Sequence, residues 1–273
     1  MDLNTIETVA RPRTRDQLPV WTAGDAWLAG GTWLFSEPQA HLRRLIDLAD
    51  LKWPALTIDE NGLSVAATCT VAQLDALACA PEWVASPLIN QCCRAFLASF
   101  KIWKTATVGG NICMSLPAGP MISLTAALDG IATIWQASGD ERKIAVADFV
   151  TGDNRNVLAE GDLLRQIDIP LAALKRRSAF RQIALTPLGR SAALLIGSLT
   201  SENDLALTVT ASTKRPVRLS FAGIPTAEEL RETILQGIAD DLYHTDVHGA
   251  PAWRKQMTLR LAEEIRSELR ALP

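Results

Sequence analysis

A chain of 273 residues, at the usual ~150 residues per domain, has room for about two domains. Its 48% hydrophobic and 21% charged content is enough to bury a substantial core, which excludes wholesale disorder. The 27 basic and 30 acidic residues leave a formal charge of −3, unlike the clustered basic surface of a nucleic-acid binder. Apolar runs such as 192–196 fall far short of the ~20 residues a membrane helix needs. The opening MDLNTIETVARPRTRDQ has no apolar run of the secretory kind, so a soluble cytoplasmic protein is expected.

In chain order, WLAGGTWLF at 27–35 reads as an apolar strand, a glycine turn and an apolar restart. A helical stretch is expected at 38–44, then a short buried strand at 45–48. Residues 63–67 alternate as a strand does, and Thr70-Val71-Ala72-Gln73 has the T-x-x-Q form of a capping box opening a short helix. A second helix runs from Pro87 to about Ala98, a third spans 121–128, and strands follow at 131–136 and 167–169, the last stopped by Pro170. Lys175-Arg176-Arg177 reads as a solvated boundary. Beyond it, 180–184, 192–200, 205–211 and 217–222 read as an antiparallel meander with turn-rich connections. Thr226-Ala227-Glu228-Glu229 caps a helix to about Asp240. In the last helix Trp253, Met257, Leu261, Ile265 and Leu269 recur at spacing four on one face. The expected class is α+β, with one mixed domain over 1–172 and a sheet-plus-helices domain over 173–273.

Five cysteines at 69, 79, 92, 93 and 113 are an odd number with no CxxC and no four-cysteine cluster spacing. They read as reduced thiols, mostly buried small hydrophobes, and no metal site is expected. His244 and His248 are four apart, but Asp246 and Gly249-Ala250-Pro251 indicate a loop, and no third ligand is evident. No Ser-His-Asp set and no G-x-S-x-G can be assembled.

Two glycine pairs stand out, Ala29-Gly30-Gly31-Thr32 and Thr107-Val108-Gly109-Gly110-Asn111. Glycine permits positive φ and removes the Cβ that keeps a ligand off the backbone. Successive amides turned inward form a nest for anionic oxygens, to which Thr32, Thr107 and Asn111 add side-chain donors. Either pair alone reads first as a tight turn or packing site, and only their recurrence beside apolar strands brings the functional reading level with it. Two nests together suit a diphosphate. There is no G-x-G-x-x-G and no P-loop lysine pattern, which disfavours a Rossmann or P-loop site.

At these loops the sequence resembles the flavin-binding (medium) subunit of the molybdenum hydroxylases, the xanthine dehydrogenase and carbon monoxide dehydrogenase family. LAGGTWLF at 28–35 is similar to the family's first FAD loop, AGGTDL, and TATVGGNI at 105–112 to its second, ATVGGNI. AALDG at 126–130, ADFVTG at 147–152, EGDLLRQIDIP at 160–170, AFRQIAL at 179–185 and the closing AWRKQMTLRLAEEI follow in the family's order. The resemblance implies an FAD-binding domain of the vanillyl-alcohol oxidase (PCMH) type, made of two α/β subdomains, followed by a smaller C-terminal antiparallel sheet with helices. It implies that Leu28, Ala29, Gly30, Gly31, Thr32, Trp33, Leu34, Thr107, Gly109, Gly110 and Asn111 hold the FAD pyrophosphate. Leu97 and Ala98 would line the cofactor, Leu164 would pack near the flavin, and Arg181 would be a basic contact to it.

The sequence departs from the family pattern at Trp33, at Pro120 where an aspartate is usual, and at KIWK, 101–104. The implied role is electron transfer: iron–sulfur clusters on a small partner subunit, and molybdopterin on a large one, feed FAD here, which passes electrons to an external acceptor. A stand-alone flavin oxidoreductase, or a scaffold subunit that has lost FAD, are the competing readings.

Overall fold

A computed structural model describes residues 3–271. The first layer is a three-stranded parallel sheet of β1 (Thr8–Ala10), β2 (Asp25–Leu28) and β3 (Arg44–Asp47), with β3 in the centre. Its register is pinned by charge. Asp25 faces Arg44 across the β2–β3 ladder, and their side chains pair at 2.5 Å. That guanidinium holds the Asp25 carboxyl below its ordinary value. The helical stretch expected at 38–44 does not form. A single turn, with the Leu42 amide on Gln39 O, leads straight into β3, and Arg43 and Arg44 donate to Gly24 O. Pairing on both edges outweighs the local helical preference there.

The second layer is a five-stranded antiparallel sheet. β4 (Leu56–Asp59) and β5 (Gly62–Ala66) form a hairpin, and β6 (Ile131–Trp135) and β7 (Glu141–Ala145) another. β8 (Val150–Gly152) and β9 (Arg155–Asn156) pair as a separate two-stranded hairpin. β10 (Leu163–Pro170) then inserts between β5 and β6, a pairing of residues about a hundred positions apart. A bulge between Leu164 and Gln166 turns Arg165 out over the Trp53 ring, 4.2 Å from its centroid.

Helices cover the inner face of this sheet. They are α1 (Val71–Asp75), α2 (Pro87–Ala95), α3 (Phe100–Trp103), α4 (Val108–Met114), α5 (Pro120–Ala127), α6 (Val146–Phe149) and α7 (Leu171–Leu174). The Thr70 capping box is formed in full, Thr70 Oγ1 accepting from the Gln73 amide while Gln73 Oε1 accepts from the Thr70 amide. All eight residues of α5 are buried, which is why it shows no polar face.

The third layer is the expected meander, β11 (Arg177–Ile183), β12 (Ala193–Leu199), β13 (Leu205–Thr210) and β14 (Val217–Phe221), in sequential order. Every residue of β12 and β13 is buried, because α5 packs on one face and α9 (Pro251–Ala271) on the other. α8 (Ala227–Gly237), with its own Thr226–Glu229 capping box, lies beside α9. Gly197 lets α9 approach, since a Cβ there would sit 2.4 Å from Ile265. The Lys175-Arg176-Arg177 run is not simply solvated. Arg176 and Arg218 grip the Asp129 carboxylate from two sides, at 2.6 and 2.5 Å, tying the meander to the end of α5.

Candidate functional site: a cleft between the two glycine segments

The chain leaves β2 at its carboxyl end and enters the 29–36 loop, the position where α/β sheets carry their ligand crevices. The loop closes on itself: the Phe35 amide donates to Gly31 O at 2.8 Å, and the Ser36 amide and hydroxyl both donate to Trp33 O. Among the described residues, the amides of Gly30, Gly31, Thr32, Trp33 and Leu34 have no acceptor. Gly30 permits the fold of this loop, because a Cβ would lie 1.9 Å from Thr105 O, directly before the second glycine segment. Gly31 has φ +67, and a Cβ there would also strike the Phe35 ring.

The second segment is not a loop. Gly109 and Gly110 lie in the first turn of α4, with Thr107 as its N-cap accepting from the Gly110 amide at 3.0 Å. The Val108 and Gly109 amides go to Cys69 O and Ala67 O, and the Asn111 amide to Thr107 O. The expectation of two amide nests therefore reduces to one open row, on the first loop. The second segment contributes its side chains and the positive end of a short helix. Asn111 also accepts from the Met121 amide at 3.1 Å, fixing α4 to α5. This explains how Pro120 is accommodated: it is the buried first residue of α5, and Asn111 caps the next amide.

Between these segments lies a cleft of about 560 Å³. Of the sequence-predicted residues, Ala29, Gly30, Gly31, Thr32, Trp33, Leu34, Leu97, Ala98, Thr107, Gly110 and Asn111 line it. Leu28 ends β2 just beneath the loop. Gly109 is buried behind it, where a Cβ would meet Ala67 at 2.4 Å, so its role is close packing of α4 on the sheet. Leu164 is buried in β10 opposite Ile134, under α4, and does not reach the cleft. Arg181 is also elsewhere: on β11 it pairs with Glu264 at 3.2 Å and Glu268 at 2.6 Å of α9. A guanidinium held between two carboxylates on a helix has no donor fork left for a distant ligand.

Sequence reasoning missed Trp27, Ser36, Phe96, Ile102, Ala106, Cys113, Met114 and Leu116, which complete the wall. For three of these a signal was present. Trp27 is two residues before Ala29 on the same strand face, and Cys113 and Met114 follow Gly110 by three and four on α4. Trp27 Nε1 donates to Asp162 O, and the buried Asp162 carboxylate accepts from the Ala137 and Ala159 amides, so the GDLL segment holds the cleft's back wall. Among the described residues no Asp, Glu, Lys, Arg or His lines the cleft. Its titratable group is Cys113, whose thiol is pushed up to about 12 by burial and stays protonated at neutral pH. Among the described residues no three His, Cys, Asp or Glu side chains converge as metal ligands, and no helix is long and apolar enough to cross a membrane.

A row of unsatisfied amides, a backbone crossing only glycine allows, and apolar walls describe a site for a long ligand with anionic oxygens and a planar ring. The model of the FAD binding domain in molybdopterin dehydrogenase matches residues 9–172, more than half of the chain. The chain belongs to that family. It is an FAD-binding subunit of the molybdenum hydroxylase type. Solved structures agree in fold. Reconstituted CO dehydrogenase from Oligotropha carboxidovorans matches with a TM-score of 0.80 and 18% identity, over 99% of each chain. Quinoline 2-oxidoreductase from Pseudomonas putida 86 matches at 0.77 and 17%, over 98% of each. Carbon monoxide dehydrogenase from Hydrogenophaga pseudoflava matches at 0.79 and 15%, also over 98% of each. No curated protein matches the sequence.

Proposed function

We propose that this chain is the electron-transfer flavoprotein subunit of a heteromeric molybdenum hydroxylase. It would receive electrons from iron–sulfur clusters on a small partner subunit, originating at molybdopterin on a large one, and deliver them to an external acceptor. The observation that carries this reading is the open amide row at 30–34 set in a cleft without an ionised side chain. FAD, when bound, supplies the ring that accepts and releases electrons. The chain's part is to bind and orient it. The amides of Gly30 to Leu34, with Thr107 and Asn111, would hold the diphosphate, and Phe96, Leu97, Ala98, Met114 and Leu116 would wall the ring and exclude water. Gly109 and Leu164 would support α4 from behind. A cleft offering donors and apolar contacts, but no general acid or base, suits relay of electrons rather than substrate chemistry. We place the flavin-binding unit at 1–172 and the C-terminal unit at 173–273.

The test is titration of the purified chain with FAD, following quenching of flavin fluorescence and the absorbance band at about 450 nm. Saturable binding is expected. A chain that takes up no FAD overturns the reading in favour of a scaffold subunit, and turnover of a substrate by the isolated FAD-loaded chain overturns it in favour of a stand-alone enzyme.

A further inference from the structure

Trp27 lines two cavities, the flavin cleft and a second one of about 590 Å³. The second is walled by the indoles of Trp21, Trp27 and Trp135 and carries two carboxylates, Asp16 and Glu160. We propose that this indole-walled cavity is a separate ligand site, for a planar heteroaromatic cation. No residue of either glycine segment lines it, so the site does not depend on the flavin reading.

The chain has eight tryptophans and a single tyrosine, and four of the indoles gather here from four separate segments. Trp21 and Trp27 lie with ring centroids 5.2 Å apart, and Trp53 meets Trp135 edge-on at 5.4 Å. Indoles that serve only a core bury their faces completely. Here Trp21, Trp27 and Trp135 are each only half-buried, and each is fixed from behind. Trp27 Nε1 donates to Asp162 O at 2.9 Å, and Trp135 is held in the β6 ladder opposite Leu163. Gly161, at φ +81, lets Trp21 lie against the chain, because a Cβ there would stand 2.9 Å from the Trp21 Cβ. The cavity is therefore built by its surroundings, and its volume falls within the ~300–1,000 Å³ of small-molecule sites.

Charge decides the kind of ligand. The same group of indoles already stacks planar cations: the Arg15 guanidinium lies 4.7 Å from the Trp135 centroid, and that of Arg165 lies 4.2 Å from Trp53. Arg15 is held in that position by Gly139 O and Asp140 O. Among the described residues no cation stacks on Trp21 or Trp27. Asp16 and Glu160 are exposed and make no hydrogen bond or ion pair among the described residues. Two carboxylates against the one guanidinium of Arg15 leave the wall with an excess of negative charge. The negative face of an indole adds to that field. A flat ring bearing a positive charge satisfies both features at once, covering the indoles while neutralising a carboxylate. An anion of the same shape is repelled.

The probe is N-methylacridinium, a fixed planar cation. Its control is acridine, which has nearly the same shape and is uncharged at about pH 8. Isothermal calorimetry on the full chain saturated with FAD, which fills the flavin cleft, measures affinity and stoichiometry. One N-methylacridinium per chain is expected, with acridine about tenfold weaker. The double variant Asp16→Asn, Glu160→Gln should weaken the cation about tenfold and leave acridine within about twofold. Trp21→Ala should weaken both dyes at least tenfold. Both carboxylates are exposed, so their double variant should keep the wild-type melting temperature and carries the test alone if Trp21→Ala does not fold.

Equal affinity for the two dyes, or cation affinity unmoved by the carboxylate variant, overturns the proposal. So does N-methylacridinium binding that FAD abolishes, since the dye then occupies the flavin cleft. A wild-type chain that takes up no FAD overturns the flavin reading instead, and the same titrations on the FAD-free chain and its variants still decide this one.

Discussion

Gly30 and Gly139 both sit in turns, and only their surroundings tell them apart. Gly139, at φ +96, has nothing within 4 Å of where a Cβ would be, so Gly139→Ala costs only backbone strain, about 1–2 kcal/mol. At Gly30 the same methyl would meet the Thr105 carbonyl and drive the two halves of the cleft apart. Gly30→Ala is expected to lose at least tenfold in FAD affinity, where Gly139→Ala loses none. Fluorescence titration of the two variants side by side checks this. The cysteines make a second prediction at this scale. Burial raises Cys69, Cys93 and Cys113 from an ordinary 9 to about 12, so the folded state favours the neutral thiol. Their contribution to stability is fully present below about pH 9 and is lost as pH rises from there through 12. The loss is at most ~1.4 kcal/mol per pH unit for each thiol. Urea midpoints at pH 7 and pH 10.5 should differ in that direction, and Cys113→Ala should reduce the difference.

Among the elements, α9 depends on a buried charge that the spacing-four pattern did not reveal. Its apolar face is the one the pattern marks, with Leu261, Ile265 and Leu269 buried against the meander. Two turns earlier, however, Arg254 is 1% exposed and donates to Gly249 O, Ala192 O, Ala211 O and the Asp246 carboxylate. It thus ties the helix start to the beginning of β12, the end of β13 and the 244–250 loop. Burial alone would raise the Asp246 carboxyl, but the His248 amide, Arg254 and His244 outweigh it and hold it below its ordinary value. The stability this provides is present at neutral pH and is lost as pH falls through that lowered value. Asp246→Ala would leave the buried guanidinium without its counter-charge and is expected to cost about 3–5 kcal/mol. Equilibrium urea unfolding measures it, and the double variant with Arg254→Met should cost less than the sum of the single changes.

At the scale of the whole molecule, the proposed binding of FAD on the open amide row would stabilise the native state alone, because the unfolded chain has no cleft. A concentration one hundred times the dissociation constant should add about 2.7 kcal/mol, seen as a higher melting temperature. Gly30→Ala should blunt that rise. Much of the architecture was readable from local pattern. The meander, both capping boxes and the glycine segments follow from alternation, T-x-x-E/Q spacing and turn chemistry, all of which act within a few residues. Family membership follows from the order of those segments. The helix expected at 38–44 failed because parallel pairing on two edges is invisible to local preference. What the second glycine pair does was decided by the acceptors that Cys69 and Ala67 bring to α4 from forty residues away. The fate of Arg181 is likewise tertiary: only the packing of α9 determines that its guanidinium is consumed in ion pairs with Glu264 and Glu268. Chain-local chemistry therefore determined that there is a flavin-type site, and long-range packing determined which groups remain free to use it.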